Sequence, residues 1–474
     1  MLPIAIFWLI FACAIVAPAR FTVYLFFVSI SFRMFATLPL EISGGVTLMP
    51  QAVIAPVMGA RLLLDFANWS HVQDFMLDWR KLGLLTAFLL IGLCVTITAP
   101  LVFAGVPVIE LNTGNVIPLG FRATNATQIF YLSSSFLVIV SFWILLQTEN
   151  GRRIIARGIM LGGAMACASG LLDMATAGTT ILAPLRTGSY ALLNDNQMNG
   201  VRRVIGFCPE ASTYGWLTLS FATTLLFMRP ARLLGGWWRM LEMPLAALLL
   251  LCAILSTSSG TYVGIVFALA VLLTDLLYRI VGADSPGGRD AVRREAVAAS
   301  FIVLALAILV ISRHDLVRQA YEMIDVAVFK KTTTDSYVTR KYFTDMSMAA
   351  WRATGGMGVG IGSTLASSYP VVVLASTGVA GAGFMLAFLA RMLLGPLPRG
   401  DETLGRMAIG ARYCTMIAIV PALGAGTLID FGPFNALFFA VMAGAPSIIA
   451  PEPWQRRRSR AAAYGPTTHA RAER

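Results

Sequence analysis

An all-α bundle of membrane-crossing helices is the fold class this sequence predicts, and three observations predict it. Of its 474 residues, 57% are hydrophobic and 13% charged, with a mean hydropathy of +0.75, whereas a soluble domain carries about 25% charged residues. Apolar runs of about 17 to 25 residues, long enough to cross hydrocarbon as helices, recur along the whole chain. Basic residues alternate from one connecting segment to the next.

The runs place spans near 3–17, 21–39, 43–63, 82–104, 127–147, 154–176, 211–228, 243–257, 260–279, 297–312, 370–394, 412–429 and 433–450. Twelve or thirteen crossings result, in one integral membrane domain covering 1–474. Pro18 and Arg20 leave open whether 1–39 is one bent segment or two spans. The start, MLPIAIFWLIFACAIVAPAR, lacks the basic n-region of a signal peptide and is expected to be a retained span.

A formal charge of +12 looks like a nucleic-acid footprint until it is mapped onto the loops. Segments 61–81, 152–157, 229–239, 279–294, 391–412 and the tail 451–474 hold 23 of the 36 Lys and Arg residues. Short basic loops mark the cytoplasmic side. The sequence therefore predicts a multi-pass protein with a cytoplasmic basic tail and outer loops at 177–210 and 313–369, and no nucleic-acid partner. The seven basic residues of 313–369 do not conflict, because long translocated loops carry charge freely.

Five of the six cysteines fall in spans and only Cys208 is near an outer loop, so no disulfide framework is predicted. His71, His314 and His469 lie in different regions, which argues against a histidine-rich metal site. Neither a metal nor another cofactor is expected.

Both outer loops exceed the length of a simple connector. In 313–369, VRQAYEMIDVAVFKK and YVTRKYFTDMSMAAW carry apolar residues at helical spacing, so a partly helical loop is predicted. In the second segment Val338, Tyr342, Met346, Ala349 and Ala350 define the expected apolar side, with Arg340 and Lys341 beside it. ATGGMGVGIGSTLASS follows, containing Gly358 and Gly360. Such a run is either a cradle for phosphate or a hinge into the next helix, and both readings stand.

RRVIGFCPEASTYGW, 202–216, sets Arg202, Arg203 and Glu210 beside the span that starts near Ala211. Each has an ordinary explanation: arginines reach toward headgroups, and a carboxylate suits a helix start. Together with Arg186, Arg340, Lys341 and Arg352, however, they offer bidentate donors that match a diphosphate. Glu210 is then the nearest carboxylate able to take a proton from a sugar hydroxyl. Asp173 and Asp430, near the outer ends of their spans, are candidates for the same cavity or for an ion path. Asp275 is expected to pair with Arg279. His314, at the start of the long loop, is either solvated or active near neutral pH.

RVIGFCPEASTYG (203–215), LSTSSGTYVGI (255–265) and TRKYFTDMSMAAWRATGGMGVGIGS (339–363), in this order among many spans, resemble the O-antigen ligase and Wzy-type polymerase superfamily. PEAS after the RxxGF segment is more similar to exopolysaccharide polymerases than to ligases. Ser259 stands where an arginine often follows the serine, and no histidine lies near the middle of the long loop. Both departures favour polymerisation over ligation.

The resemblance implies a GT-C-like fold and a metal-independent, inverting glycosyltransferase of the polymerase or ligase type. A glycan on undecaprenyl diphosphate would pass to an acceptor sugar hydroxyl at the outer face of the bacterial inner membrane, in exopolysaccharide or O-antigen biosynthesis. By position, Arg203 and Arg340 would contact the diphosphate and act in catalysis; Glu210 joins them as the acceptor-side base through its proximity in sequence, not through the resemblance. Arg202, Lys341, Arg352, Gly358, Gly360 and His314 would bind diphosphate or glycan. Implied partners are the lipid-linked donor, the glycan acceptor and membrane lipids, with room for polysaccharide export or chain-length proteins. A flippase or other transporter using the intramembrane carboxylates is the competing class.

Overall fold

A computed structural model describes residues 2–43, 45–66, 69–189, 197–198, 201–281, 335–397 and 401–449. Among these, 73% are helical and 2% in strands. The helices are α1 (Leu2–Val16), α2 (Ala19–Ser29), α3 (Pro50–Asp65), α4 (Trp69–Leu77), α5 (Gly83–Val102), α6 (Ala123–Leu146), α7 (Glu149–Ala175), α8 (Ala211–Met228), α9 (Gly236–Leu255), α10 (Ser259–Val281), α11 (Asp335–Ala353), α12 (Tyr369–Leu394), α13 (Glu402–Ala425) and α14 (Gly432–Ile449). Two small antiparallel hairpins join β1 (Pro107–Ile109) to β2 (Val116–Pro118) and β3 (Gln197–Met198) to β4 (Val201–Arg202).

Among the described residues seven helices, α5, α6, α7, α9, α10, α12 and α13, are long and apolar enough to cross a membrane, which makes this a polytopic membrane protein. The expected count of twelve or thirteen divides accordingly. Four expected spans are shorter apolar helices, α1, α2, α3 and α14. Helix α8 carries polar Ser and Thr residues and is buried among its neighbours. The expected span 297–312 and the tail 451–474 lie outside the described residues. The N-terminal segment is two helices, broken at Pro18, which caps α2 at φ −52°, ψ 145°. The expected span 21–39 ends early, at Ser29, and the chain then turns rather than crossing.

Helix α6 forms the centre and α10 the rim: 72% of the α6 apolar window is buried, against 11% for α10. Helix crossings in apolar surroundings depend on close approach at small residues, and α7 supplies them. A Cβ on Gly158 would lie 2.3 Å from Phe27, and one on Gly162 would lie 2.6 Å from Phe221, so α2 and α8 press directly onto the α7 backbone. The connection between α6 and α7 is two residues long, because Thr148 caps α7 by accepting from Gly151 N at 3.0 Å. Arg152 Nε closes the other side by donating to Leu146 O at 2.9 Å.

Helix α11 confirms that the large loop is partly helical, but its inward face is not the expected one. Val338, Tyr342 and Ala349 are exposed, while Ser347 and Ala350 are buried and Arg340 half-buried. Polar contacts explain the rotation. Ser347 Oγ lies 2.8 Å from Thr364 Oγ1 and donates to Leu365 O at 3.0 Å, and Thr344 Oγ1 accepts from Ser367 N at 3.3 Å. Arg340 thereby shares the bundle-facing side with Thr344 and Ser347 at i, i+4, i+7.

Candidate functional site

Residues 203–210 enter α8 as an irregular strap, and every turn of it is tied to a different element. Asp173, at the end of α7, accepts from Ile205 N at 2.8 Å and Gly206 N at 3.2 Å. Its other oxygen pairs with Arg186 Nη2 at 2.7 Å, with the two side chains 2% and 6% exposed. Arg186 returns to the strap, donating from Nε to Gly206 O at 3.2 Å. Gly206 sits at φ +56°, and a Cβ there would stand 2.6 Å from Ser169 Oγ; only glycine fits the turn. Phe207 O accepts from Met34 N at 2.9 Å, and its ring stacks on Phe32 at 5.0 Å. Asp173 is thus a clamp on the strap.

Arg203 begins the strap. Val204 N donates to Leu255 O at 3.3 Å, and Arg203 Nε donates to Thr257 Oγ1 at 3.2 Å and Ser256 O at 3.4 Å. Thr257 holds φ +49°, a conformation that costs a non-glycine residue about 1 kcal/mol or more. That strained turn between α9 and α10 positions the arginine. Burial lowers the Arg203 pKa, the negative charge of Glu210 and the phenol of Tyr262 oppose the shift, and the positive charge of Arg340 adds to it. Arg203, Glu210, Tyr262 and Arg340 therefore lie within electrostatic reach, although Arg340 follows Arg203 by about 137 residues.

Glu210 occupies the N-cap position of α8, at φ −150° and ψ 161°, yet its side chain makes no cap hydrogen bond. Its carboxylate accepts from the Ser212 hydroxyl instead. Glu210 thus stands at the helix start without closing it by a side-chain bond, and its charge is among those that reach Arg203. Neighbouring Cys208 is fully buried, and burial pushes its thiol up to about 12 against the pull of Arg33 and Arg186. It is a packed thiol, not a nucleophile.

Cys208 also reveals a residue that the sequence reading missed. Arg33, in the turn after α2, acts electrostatically on Cys208 and on Asp430, which lies between α13 and α14. Asp430 accepts from Gly432 N at 3.1 Å. Burial raises its pKa, and the nearby Ser135 hydroxyl, the Gly432 amide and Arg33 act in the opposite direction. The available signal was Arg33 itself, a lone charge inside an expected span; such residues are functional candidates by default. Tyr262 gave no comparable signal.

The remaining candidates are not gathered here. Lys341 and Arg352 are exposed, on the neighbouring face of α11 with Asp345 rather than on that of Arg340. Arg202 has its backbone in β4, and its side chain lies outside the described residues, as does His314. Asp275 accepts from the Tyr413 hydroxyl at 3.1 Å; its expected partner Arg279 has a side chain outside the described residues.

Gly358 and Gly360 do not form a phosphate cradle, because the amides of their run are already bonded. Helix α12 is broken at Gly378, at φ 68° and ψ −173°. Into the break pass Val359 N, donating to Ala375 O at 2.8 Å, and Gly360 N, donating to Ser376 O at 3.0 Å, while Val379 N donates to Gly356 O at 3.1 Å. Gly358 N donates to Thr354 Oγ1 at 3.2 Å and Ile361 N to Thr96 Oγ1 at 2.8 Å. Gly358 and Gly360 hold φ +92° and +94°, and a Cβ on either would come within 3 Å of the backbone of Gly378 or Thr96. The glycines let one segment pass between α5 and α12 and re-bond the interrupted helix.

Two groups of charge result. Arg203, Arg340 and Glu210 lie at the strap, and Arg33 faces Asp430 next to it. Among the described residues the Arg33 and Arg340 guanidinium groups donate no hydrogen bond and form no ion pair. Half-buried guanidinium groups with free donors favour a multiply charged anion. The small cavity lined by Ile155, Thr224, Met228, Leu234 and Glu242 is at the opposite end of the bundle and has no part in this arrangement. The chain matches no family model and no curated protein.

Proposed function

We propose that the chain is a metal-independent, inverting glycosyltransferase that polymerises or transfers glycan units carried on undecaprenyl diphosphate at the outer face of the bacterial inner membrane. The observation that carries this reading is the convergence of Arg203, Arg340 and Glu210 at one end of the bundle with guanidinium donors left free. A leaving diphosphate is the ligand whose charge matches them. Cationic donors fixed before reaction stabilise charge as it develops on the leaving group. The rigid strap supplies that fixity for Arg203, and the polar seam of α11 supplies it for Arg340.

The acceptor is a sugar hydroxyl, the fold is a GT-C-like arrangement with its basic tail in the cytoplasm, and the product is exopolysaccharide or O-antigen. Polymerisation is preferred to ligation. Replacing Arg203 and Arg340 separately by alanine and sizing the polymer tests the reading: short or absent polymer at normal protein level is expected. Full-length polymer from both variants would refute it.

One observation favours a transporter, the helix α12 interrupted at Gly378, since broken helices mark transport sites. In such sites the freed backbone groups face substrate or ions, whereas here Val359, Gly360 and Gly356 occupy them. A transporter would lose export on neutralisation of Asp430, with lipid-linked precursor building up on the inner side.

A further inference from the structure

Two carboxylates are buried among the described residues, Asp173 and Glu242. Asp173 clamps the strap, whereas Glu242, at the other end of the bundle, has no such role. It stands six residues into α9, about 9 Å along the helix axis from its start, and is 7% exposed. The stacked rings of Trp237 and Trp238, with centroids 4.1 Å apart and Trp237 exposed, mark the level of the membrane–water interface about one turn before it. Glu242 therefore lies where headgroups give way to acyl chains. An ionised carboxylate at that depth is costly unless it is paired and hydrogen-bonded. Among the described residues it accepts no hydrogen bond, and Arg229 Nε stands at 3.7 Å, beyond the about 2.7–2.9 Å of a charge-assisted bond. The carboxylate has room for a donor that the described residues do not supply.

That room is a cavity of about 340 Å³, counting its open mouth, which Glu242 lines together with Ile155, Ile159, Thr224, Met228 and Leu234. Its innermost part admits a group about the size of one water molecule. An ammonium group has that size and carries three donors; a trimethylammonium group is larger and has no N–H. Apart from Thr224 and Glu242 the lining is apolar, which suits a ligand with an apolar body.

Two exposed cations accompany the cavity. Arg232 directly precedes Leu233 and Leu234, both lining residues, and Arg239 stands three residues before Glu242 on the same face of α9. Positive charge outside and negative charge within is the complement of a phosphate followed by a terminal ammonium.

We propose that Glu242 and its cavity bind a phospholipid with a primary ammonium headgroup, an ethanolamine phospholipid of the leaflet at the basic end. The ammonium donates to Glu242 and the phosphate lies against Arg232 and Arg239. The acyl chains follow the exposed apolar side chains of α9 at Met240, Leu241 and Met243. Arg229 remains the ionic partner of Glu242. This site is independent of the strap and of the reaction proposed there.

The test uses the full-length protein, purified in detergent and delipidated, with three lipids of identical acyl chains: phosphatidylethanolamine, phosphatidylcholine and phosphatidylglycerol. Bound lipid is counted by native mass spectrometry, with the thermal midpoint followed in parallel. The wild type should retain phosphatidylethanolamine over phosphatidylcholine by roughly tenfold, the scale of one hydrogen bond to a charged group. Glu242→Gln should bring the two lipids to equal retention. Ala156→Leu, which fills the cavity without touching a charge, should do the same, so a folding defect in one variant leaves the other. Arg232→Ala combined with Arg239→Ala should weaken both lipids alike and keep their order.

Equal retention of the two lipids by the wild type would overturn the proposal, as would a preference that survives Glu242→Gln in the folded protein. Stronger retention of phosphatidylglycerol than of phosphatidylethanolamine would make the basic end a surface for anionic lipid, and would overturn it too.

Discussion

The two ends of the bundle treat arginine in opposite ways. At the basic end each buried or half-buried arginine of the described residues has a partner. Arg61 donates to Ala14 O at 2.6 Å, Arg406 to Pro230 O at 2.8 Å, and Arg412 to Gly395 O at 2.7 Å. Arg152 pairs with Asp401 at 2.9 Å, and Arg229 faces Glu242 at 3.7 Å. Arg61, Arg152 and Arg412 reach carbonyls at helix C-termini, which lack helical partners and where a cation also suits the helix dipole. At the long-loop end Arg122 and Arg186 are engaged in the same way, but Arg33 and Arg340 are not, and Arg203 bonds through Nε alone. One residue type thus serves structure at one end and stands ready for a ligand at the other.

The largest effect should come from breaking the strap. Removing one partner of a buried, hydrogen-bonded pair costs about 3–5 kcal/mol, so Asp173→Asn or Arg186→Ala should lower the thermal midpoint strongly and abolish activity together with folding. Unchanged thermal stability in Asp173→Asn would show that the strap does not depend on this clamp.

Next come the free arginines. Arg203→Ala and Arg340→Ala should each reduce turnover about 10²–10³-fold, the scale for one charge-stabilising donor, with thermal stability near that of the wild type. Arg391→Ala, which breaks only the contact to Arg80 O, should leave turnover unchanged. Equal losses from the two ends would erase the distinction.

Gly360→Ala sharpens the comparison from another side. Its φ of +94° and the crowding against Thr96 predict a loss of about 1–3 kcal/mol in stability, with donor affinity intact in the folded fraction. A selective loss of undecaprenyl diphosphate binding would instead restore the phosphate-cradle reading.

The smallest effect belongs to Asp401. Burial would raise its carboxyl, but hydrogen bonds from Leu404 N, Arg152 and Thr403 N hold the pKa below the ordinary carboxylate value. A depressed acid contributes stability that is complete above its unfolded pKa and is lost as pH falls through the lowered folded value. Asp401→Asn should therefore flatten part of the thermal-midpoint decline on acidification, by less than about 1 kcal/mol for a carboxylate this open to solvent. An identical pH dependence in the variant would remove Asp401 from the account.

Much of this was legible in the sequence, and the reasons are physical. Long apolar runs such as 82–104 and 370–394 leave a helix as the way to satisfy the backbone in lipid, so α5 and α12 appear close to where they are expected. Arg203, Glu210 and Arg340 stood out because charge is rare there. Three features were not legible. The inward face of α11 is set by Ser347 and Thr344 bonding a distant segment, which apolar periodicity does not encode. The glycine run serves a break at Gly378 in another helix, and glycine spacing looks alike for a cradle and for close packing. Asp430 meets Arg33 only through tertiary folding across about 400 residues.

The most direct test of the central claim is the affinity of the protein in nanodiscs for undecaprenyl diphosphate, compared between Arg203→Ala with Arg340→Ala and Arg391→Ala with Arg406→Ala. A large loss of affinity in the first pair and wild-type affinity in the second is predicted. Wild-type affinity in both pairs would contradict the assignment of the free arginines to a diphosphate.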